Sequence, residues 1–111
     1  MIELNKEEKI VIEIIKTRDR FHKIFDSQIR YAVSITDPSE KQGAGLRRVI
    51  NSLRQKGYPI CSDTGGYWYA SSKEELIENV EALKGRAIKI LEAARGMEKA
   101  AEGYDEMQRL L

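Results

Sequence analysis

The sequence predicts a mainly helical α+β fold that ends in one long helix. Three observations point to it. Apolar residues recur at helical spacing in three segments before Gly57, two short aromatic-containing runs flank Gly65-Gly66, and no proline interrupts the last 39 residues. At 111 residues, with 41% apolar and 33% charged residues, the chain suits one globular core of modest size and is too apolar for a disordered one. Its first residues lack the basic head and apolar run of a signal peptide, and no stretch is long enough to cross a bilayer. A cytoplasmic protein without a membrane partner is therefore expected.

Asn5-Lys6-Glu7-Glu8 has the form of a capping box, in which Asn5 accepts from a first-turn amide and Glu8 reaches back to the cap. The helix after it is expected to bury Ile10 and Ile14, with Val11 and Ile15 beside them. The pattern fails at Asp19-Arg20. Lys23-Ile24-Phe25 reads as a very short strand, and Asp26-Ser27 as the cap of a second helix, Gln28 to about Ile35, with Ile29, Ala32 and Val33 inward. Thr36-Asp37-Pro38-Ser39-Glu40 punctuates the chain, Pro38 fixing the backbone and Asp37 or Ser39 capping the next element.

The third helix carries the clearest pattern. Leu46, Val49, Ile50 and Leu53 fall at i, i+3, i+4 and i+7 and form one apolar face. Ala44, Arg48, Asn51 and Gln55 lie opposite, with Arg47 and Ser52 on the flanks. Arg54 lies nearer the core side, where its stem can cover apolar surface. Gly57 is the expected left-handed cap. Tyr58-Pro59-Ile60-Cys61 and Tyr67-Trp68-Tyr69-Ala70 then read as two strands around Ser62-Asp63-Thr64-Gly65-Gly66, with Pro59 at a strand start or edge. Alternation favours a core role for Trp68 or its neighbours over a stacking platform for single-stranded bases.

Ser71-Ser72-Lys73-Glu74-Glu75 opens the last helix, and Glu74, Glu75, Glu78 and Glu81 read as an acidic surface near its positive end. From Leu76, apolar positions alternate in steps of four and three through Val80, Leu83, Ala87, Ile90, Ala94, Met97, Ala101 and Tyr104, with Leu111 seven beyond. Such a heptad seam packs lengthwise on another helix. A helix over residues 73–111 would be about 58 Å long. Its seam has three outlets: the helix of a second copy, its own domain, or a tail partly disordered when alone. Gly96 marks a point where the helix can bend. The boundaries expected are a domain over residues 1–72 and a dimerisation element over 73–111.

The net charge of +1 conceals an uneven distribution. Lys16 to Tyr58 holds ten basic and four acidic residues, net +6, whereas residues 73–111 hold seven basic and nine acidic, net −2. No acid occurs from Lys41 to Tyr58. A polyanion is drawn to the middle of the chain.

The run Leu46-Arg47-Arg48-Val49-Ile50-Asn51-Ser52-Leu53-Arg54-Gln55-Lys56-Gly57-Tyr58-Pro59-Ile60, followed by Gly66-Tyr67-Trp68, resembles the winged helix-turn-helix. It is similar to the N-terminal domains of biotin-repressor-type regulators, and closer to small winged-helix proteins of bacteriophages and prophages. The resemblance spans residues 6 to 70. It implies that the third helix enters the major groove while a wing lies along the backbone. The DNA-contacting residues it implies are Lys41, Ala44, Arg47, Arg48, Asn51, Ser52 and Gln55, with Thr64, Gly65 and Gly66 on the wing. Arg48, Asn51 and Gln55 are side chains able to make bidentate contacts to base edges. Taken with the heptad seam of the last helix, the resemblance leads to the expectation of a homodimer on double-stranded DNA, in transcription or replication control, in a bacterial cell or phage-infected host. One departure is the wing tip, which has no lysine or arginine and does have Asp63. That departure keeps a second possibility open, an adaptor that binds a protein partner through the same scaffold.

No enzyme is expected. The sequence lacks a phosphate loop, a zinc-binding cluster and a nucleophile paired with a base. The lone Cys61 sits in an apolar run as a small buried hydrophobe, and the lone His22 suits a surface or capping role, so neither metal nor cofactor is anticipated.

Overall fold

The capping box at Asn5 forms as its residues dictate. Asn5 Oδ1 accepts from the Glu8 amide at 2.8 Å, and Glu8 Oε1 accepts from the Asn5 amide at 2.9 Å. They open α1 (Lys6–Ile15) in a computed structural model that describes residues 3–36 and 45–104. Then come α2 (Asp26–Thr36), α3 (Gly45–Gln55), β1 (Ile60–Asp63), β2 (Gly66–Tyr69) and α4 (Lys73–Glu102). The cap expected at Asp37 or Ser39, together with Lys41, Ala44 and Leu111, lies outside the described residues.

The inward face of α1 is turned from the one expected. Val11, Ile12 and Ile15 are buried together with Glu8, while Ile10 and Ile14 sit half-buried at the edge of the core. The run Ile10 to Ile15 is apolar at every position except Glu13, so periodicity alone could not fix the angle. A buried glutamate settles it, because Glu8, Val11, Ile12 and Ile15 share one stripe.

The second helix starts two residues earlier than Gln28, at Asp26, because the Gln28 side chain accepts from the Phe25 amide at 2.8 Å and closes its first turn. Ile29 and Val33 are buried as expected, and all four apolar residues of α3 are buried. α1 packs on both α2 and α3, α3 packs on β1, and Ile24 and Ile60 complete the core.

The strands pair antiparallel, with Ile60 opposite Tyr69 and Asp63 opposite Gly66. On its other edge β2 meets Ile24, whose amide donates to the Tyr67 carbonyl at 2.9 Å and whose carbonyl accepts from the Tyr67 amide at 2.8 Å. The short strand expected at Lys23-Ile24-Phe25 is thus one bridge, enough to make β2 the inner strand and β1 the edge. β1 begins at Ile60, after Pro59, whose missing donor would interrupt a ladder.

The chain divides into two compact units, Met1–Ile77 and Glu78–Leu111. The first extends five residues past the expected boundary at residue 72. The first turn of α4 belongs to it because Glu75 is buried, correcting its assignment to an acidic surface. Its carboxylate accepts from the Trp68 indole N–H, and from the amide and hydroxyl of Ser71 at 3.0 and 2.6 Å. These bonds, the Ser71 hydroxyl foremost, hold the Glu75 carboxyl below its usual range. Beyond that turn, α4 runs as one continuous helix through Gly85 and Gly96.

Candidate nucleic-acid interface

Three polar side chains of the α3 region hold it in place. Lys56, just past the last turn, donates to both oxygens of Glu8 at 2.8 and 2.7 Å, and the Ser52 hydroxyl donates to Glu8 Oε2 at 2.7 Å. With the Asn5 amide, these donors satisfy a carboxylate only 2% exposed, and they lower its pKa to about 2, the Lys56 bond contributing most. On the other flank, Arg54 Nε donates to the Ile60 carbonyl and Nη2 to Ser62 Oγ, each at 2.9 Å, which staples α3 to β1. Arg54 therefore does more than cover apolar surface.

The helix ends as its glycine predicts. Gly57 has φ +96°, its amide donates to the Arg54 carbonyl, and the Tyr58 amide reaches back to Leu53 at 3.1 Å. This pair of bonds turns the chain directly into β1.

The remaining polar residues of α3 point away. Arg47, Arg48, Asn51 and Gln55 are exposed, and none makes a hydrogen bond or ion pair with another described residue. Arg48, Asn51 and Gln55 span about 10 Å along the helix axis, close to three base-pair steps of about 3.4 Å. Ser52 is distinguished from them. It is half-buried, and its hydroxyl is directed at α1.

The hairpin tip is Thr64-Gly65 rather than the whole run from Ser62 to Gly66. Thr64 is exposed and Gly65 half-buried, whereas Gly66 is buried inside β2. A Cβ on Gly66 would lie 2.5 Å from the Ile24 carbonyl oxygen, at φ +125°, so glycine there lets β2 approach Ile24. Asp63 accepts from the Gly65 amide at 2.7 Å and from Lys23 Nζ at 2.6 Å. Lys23, which also lies 4.7 Å from the Trp68 ring centroid, brings to the tip the basic group its own sequence lacks. Its charge is matched by Asp63, whose pKa it lowers, and the tip is left near neutral.

Comparison with family models, with curated proteins and with solved structures returns no match. What the site can do therefore rests on its own chemistry.

That chemistry is hydrogen bonding from a basic, amide-bearing helix face. Cys61 is fully buried in β1, and its thiol is pushed up to about 11, mainly by burial and further by the charge of Glu75. His22 is exposed and pairs with Asp19 Oδ1 at 2.9 Å, in line with a surface role, one of the two expected of it. Among the described residues, no three His, Cys, Asp or Glu side chains are grouped to hold a metal ion, and no helix is long and apolar enough to cross a membrane.

The α4 positions predicted for dimerisation are mostly open to solvent. Val80, Ala87, Ile90, Ala94, Met97, Ala101 and Tyr104 are exposed, and Leu83 is half-buried. Ile88 and Leu91, which the heptad spacing passes over, are exposed beside them. The sequence pattern also misses the long-range partners Lys23 for Asp63 and Glu8 for Lys56. No local pattern links residues forty or more positions apart.

Proposed function

We propose that the chain is a winged helix-turn-helix protein that binds double-stranded DNA sequence-specifically as a homodimer, in the control of transcription or replication. In this role α3 is the recognition helix. Arg48, Asn51 and Gln55 read base edges in the major groove, Arg47 meets the phosphate backbone, and Lys41 and Ala44 extend the contact before α3. The hairpin acts as the wing and presents Thr64 and the Gly65 backbone to the sugar-phosphate chain. The exposed seam of α4 joins two copies, so that paired half-sites are bound.

One observation carries the proposal. The polar residues of this one helix region are sorted: Ser52, Arg54 and Lys56 are bonded inward, while Arg47, Arg48, Asn51 and Gln55 are left to solvent. A surface needed only for solubility has no reason to carry two amides in line with two arginines and no acid among them.

The test begins with the full chain and a randomised duplex library, from which bound sequences are selected. Binding of a selected and a scrambled duplex is then followed by fluorescence anisotropy at several salt concentrations. Affinity should fall steeply with salt, and Arg48→Ala or Asn51→Ala should weaken the selected duplex by about 1 to 3 kcal/mol while narrowing its advantage over the scrambled one. Parent-like binding by both variants would refute the assignment of α3.

A second reading, an adaptor for a protein partner, is favoured by exposed aromatics away from α3. Phe21 is 80% exposed, Tyr31 67% and Phe25 54%. No duplex binding even at low salt would favour it.

A further inference from the structure

We propose that the α4 face from Val80 to Tyr104 docks a second copy of this chain in antiparallel orientation, in the register that sets Leu83 against Ala101 of the second copy. The proposal rests on the homodimer put forward above and specifies its geometry. Exposed apolar side chains motivate it: Met97 is 74% exposed and Ile90 68%, on a stripe continuous with Val80 and Tyr104.

Side-chain size sets the orientation. One set of seam positions is large, Leu83, Ile90, Met97 and Tyr104, and the other is Val80 followed by Ala87, Ala94 and Ala101. A parallel pair sets each position against itself. Layers of two large residues would then alternate with layers of two alanines, and the alanine layers would leave voids. An antiparallel pair sets one position set against the other: Val80 with Tyr104, Leu83 with Ala101, Ala87 with Met97, and Ile90 with Ala94. Every layer then joins a larger residue to a smaller one, and the packing is even along the seam.

Charge sets the register. In the alignment just given, Lys84 lies beside the seam opposite Glu98 of the second copy, and the two-fold axis repeats the pair. Leu91 meets its own counterpart at the centre. A slide of one heptad in one direction sets Lys84 against Leu91, and in the other direction it matches Lys84 with Asp105 but sets Glu98 against the apolar Leu91, a mismatch that the first alignment avoids. In a parallel pair Lys84 faces Asn79 and Glu98 faces Ala93, with no opposite charges matched. The antiparallel arrangement also opposes the two helix dipoles.

Cross-linking and charge exchange test this on the full chain. Native Cys61 is buried, and cross-linked residues are assigned by peptide mass mapping. A mixture of Leu83→Cys and Ala101→Cys variants should form a disulfide between positions 83 and 101 under mild oxidation, while Ala101→Cys alone should form none. Lys84→Glu or Glu98→Lys alone should weaken dimerisation about fivefold or more, and the double exchange should restore it. Sedimentation separates the failures. A monomeric parent at micromolar concentration would overturn the homodimer and this geometry together. A dimer in which Ala101→Cys links to itself, or in which the 83–101 link and the charge rescue are both absent, would overturn the geometry and leave the homodimer standing.

Discussion

Replacing Glu8 by glutamine removes a charge from the centre of the α1–α3 contact and keeps its shape. The Glu8 carboxyl titrates near 2 in the folded chain against an ordinary 4.5, held down first by Lys56, then by the Asn5 amide and Ser52. At about 1.4 kcal/mol per pH unit, that displacement corresponds to about 3 kcal/mol of folding stability at neutral pH. The folded pKa is depressed, so this contribution is fully present above 4.5 and is lost as pH falls from there toward 2. Glutamine retains an oxygen for the Asn5 amide and leaves Lys56 without its anion. Lys56 is 26% exposed and can recover water, which keeps the expected loss near 3 kcal/mol rather than above it.

Urea denaturation of parent and Glu8→Gln, at pH 7 and at intervals down to pH 2, measures both effects. The variant should be less stable by about 2 to 3 kcal/mol at pH 7, and the gap should close as the parent loses stability between 4.5 and 2. A gap under about 0.5 kcal/mol at pH 7, or one that persists unchanged at pH 2, would refute the claim that this carboxylate anchors α3 through its charge.

Two glycines should respond oppositely to alanine. Gly66→Ala meets the Ile24 carbonyl at a positive φ and should cost about 2 kcal/mol or more in urea denaturation, whereas Gly85→Ala has open space within α4 and should raise helix stability by about 1 kcal/mol. Trp68→Phe preserves most of the ring but removes the indole donor from Glu75, and should destabilise by about 1 to 3 kcal/mol at pH 7. Because Glu75 is held below its usual range, that difference should shrink as pH falls through the carboxylate range and Glu75 takes up a proton.

The elements are legible where a residue's role is local. The Asn5 box, the apolar face of α3 and the Gly57 cap each derive from spacings of a few residues, and each lies where those spacings put it. Any role decided by a distant partner escapes such reading. Glu8 reads as a cap residue and is also the buried anchor of α3. Glu75 reads as surface charge and is the acceptor for Trp68. Ser52 reads as a flank of the outer face and donates inward. In each case the residue type suggests exposure, and a donor or acceptor brought up by the fold makes burial tolerable. For the candidate site, the inward direction of the α3 apolar stripe is enough to name Arg48, Asn51 and Gln55. The tip of the hairpin is harder to read, because the charge that balances Asp63 comes from Lys23, forty residues earlier.

The same sorting of side chains bears on how salt should act. Counted by sequence, the region from Lys41 to Lys56 offers five cations to DNA: Lys41, Arg47, Arg48, Arg54 and Lys56. In the fold Lys56 is paired with Glu8, Arg54 is bonded to the Ile60 carbonyl and Ser62, and Lys23 at the hairpin tip is paired with Asp63. In the proposed complex Arg48 is assigned to a base edge, and Arg47 and Lys41 are assigned to phosphates, about four contacts in a dimer. At about 0.9 per phosphate, the slope of log affinity against log salt should lie near −4, against about −9 if all five cations of each copy met the backbone. Between 50 and 200 mM salt the first slope weakens binding roughly two-hundredfold and the second by more than about 10⁵. Anisotropy titrations of the selected duplex over that range distinguish them. A slope near −9 would mean that Arg54 and Lys56 leave their internal partners on binding, and that the sorting seen along α3 does not persist on DNA.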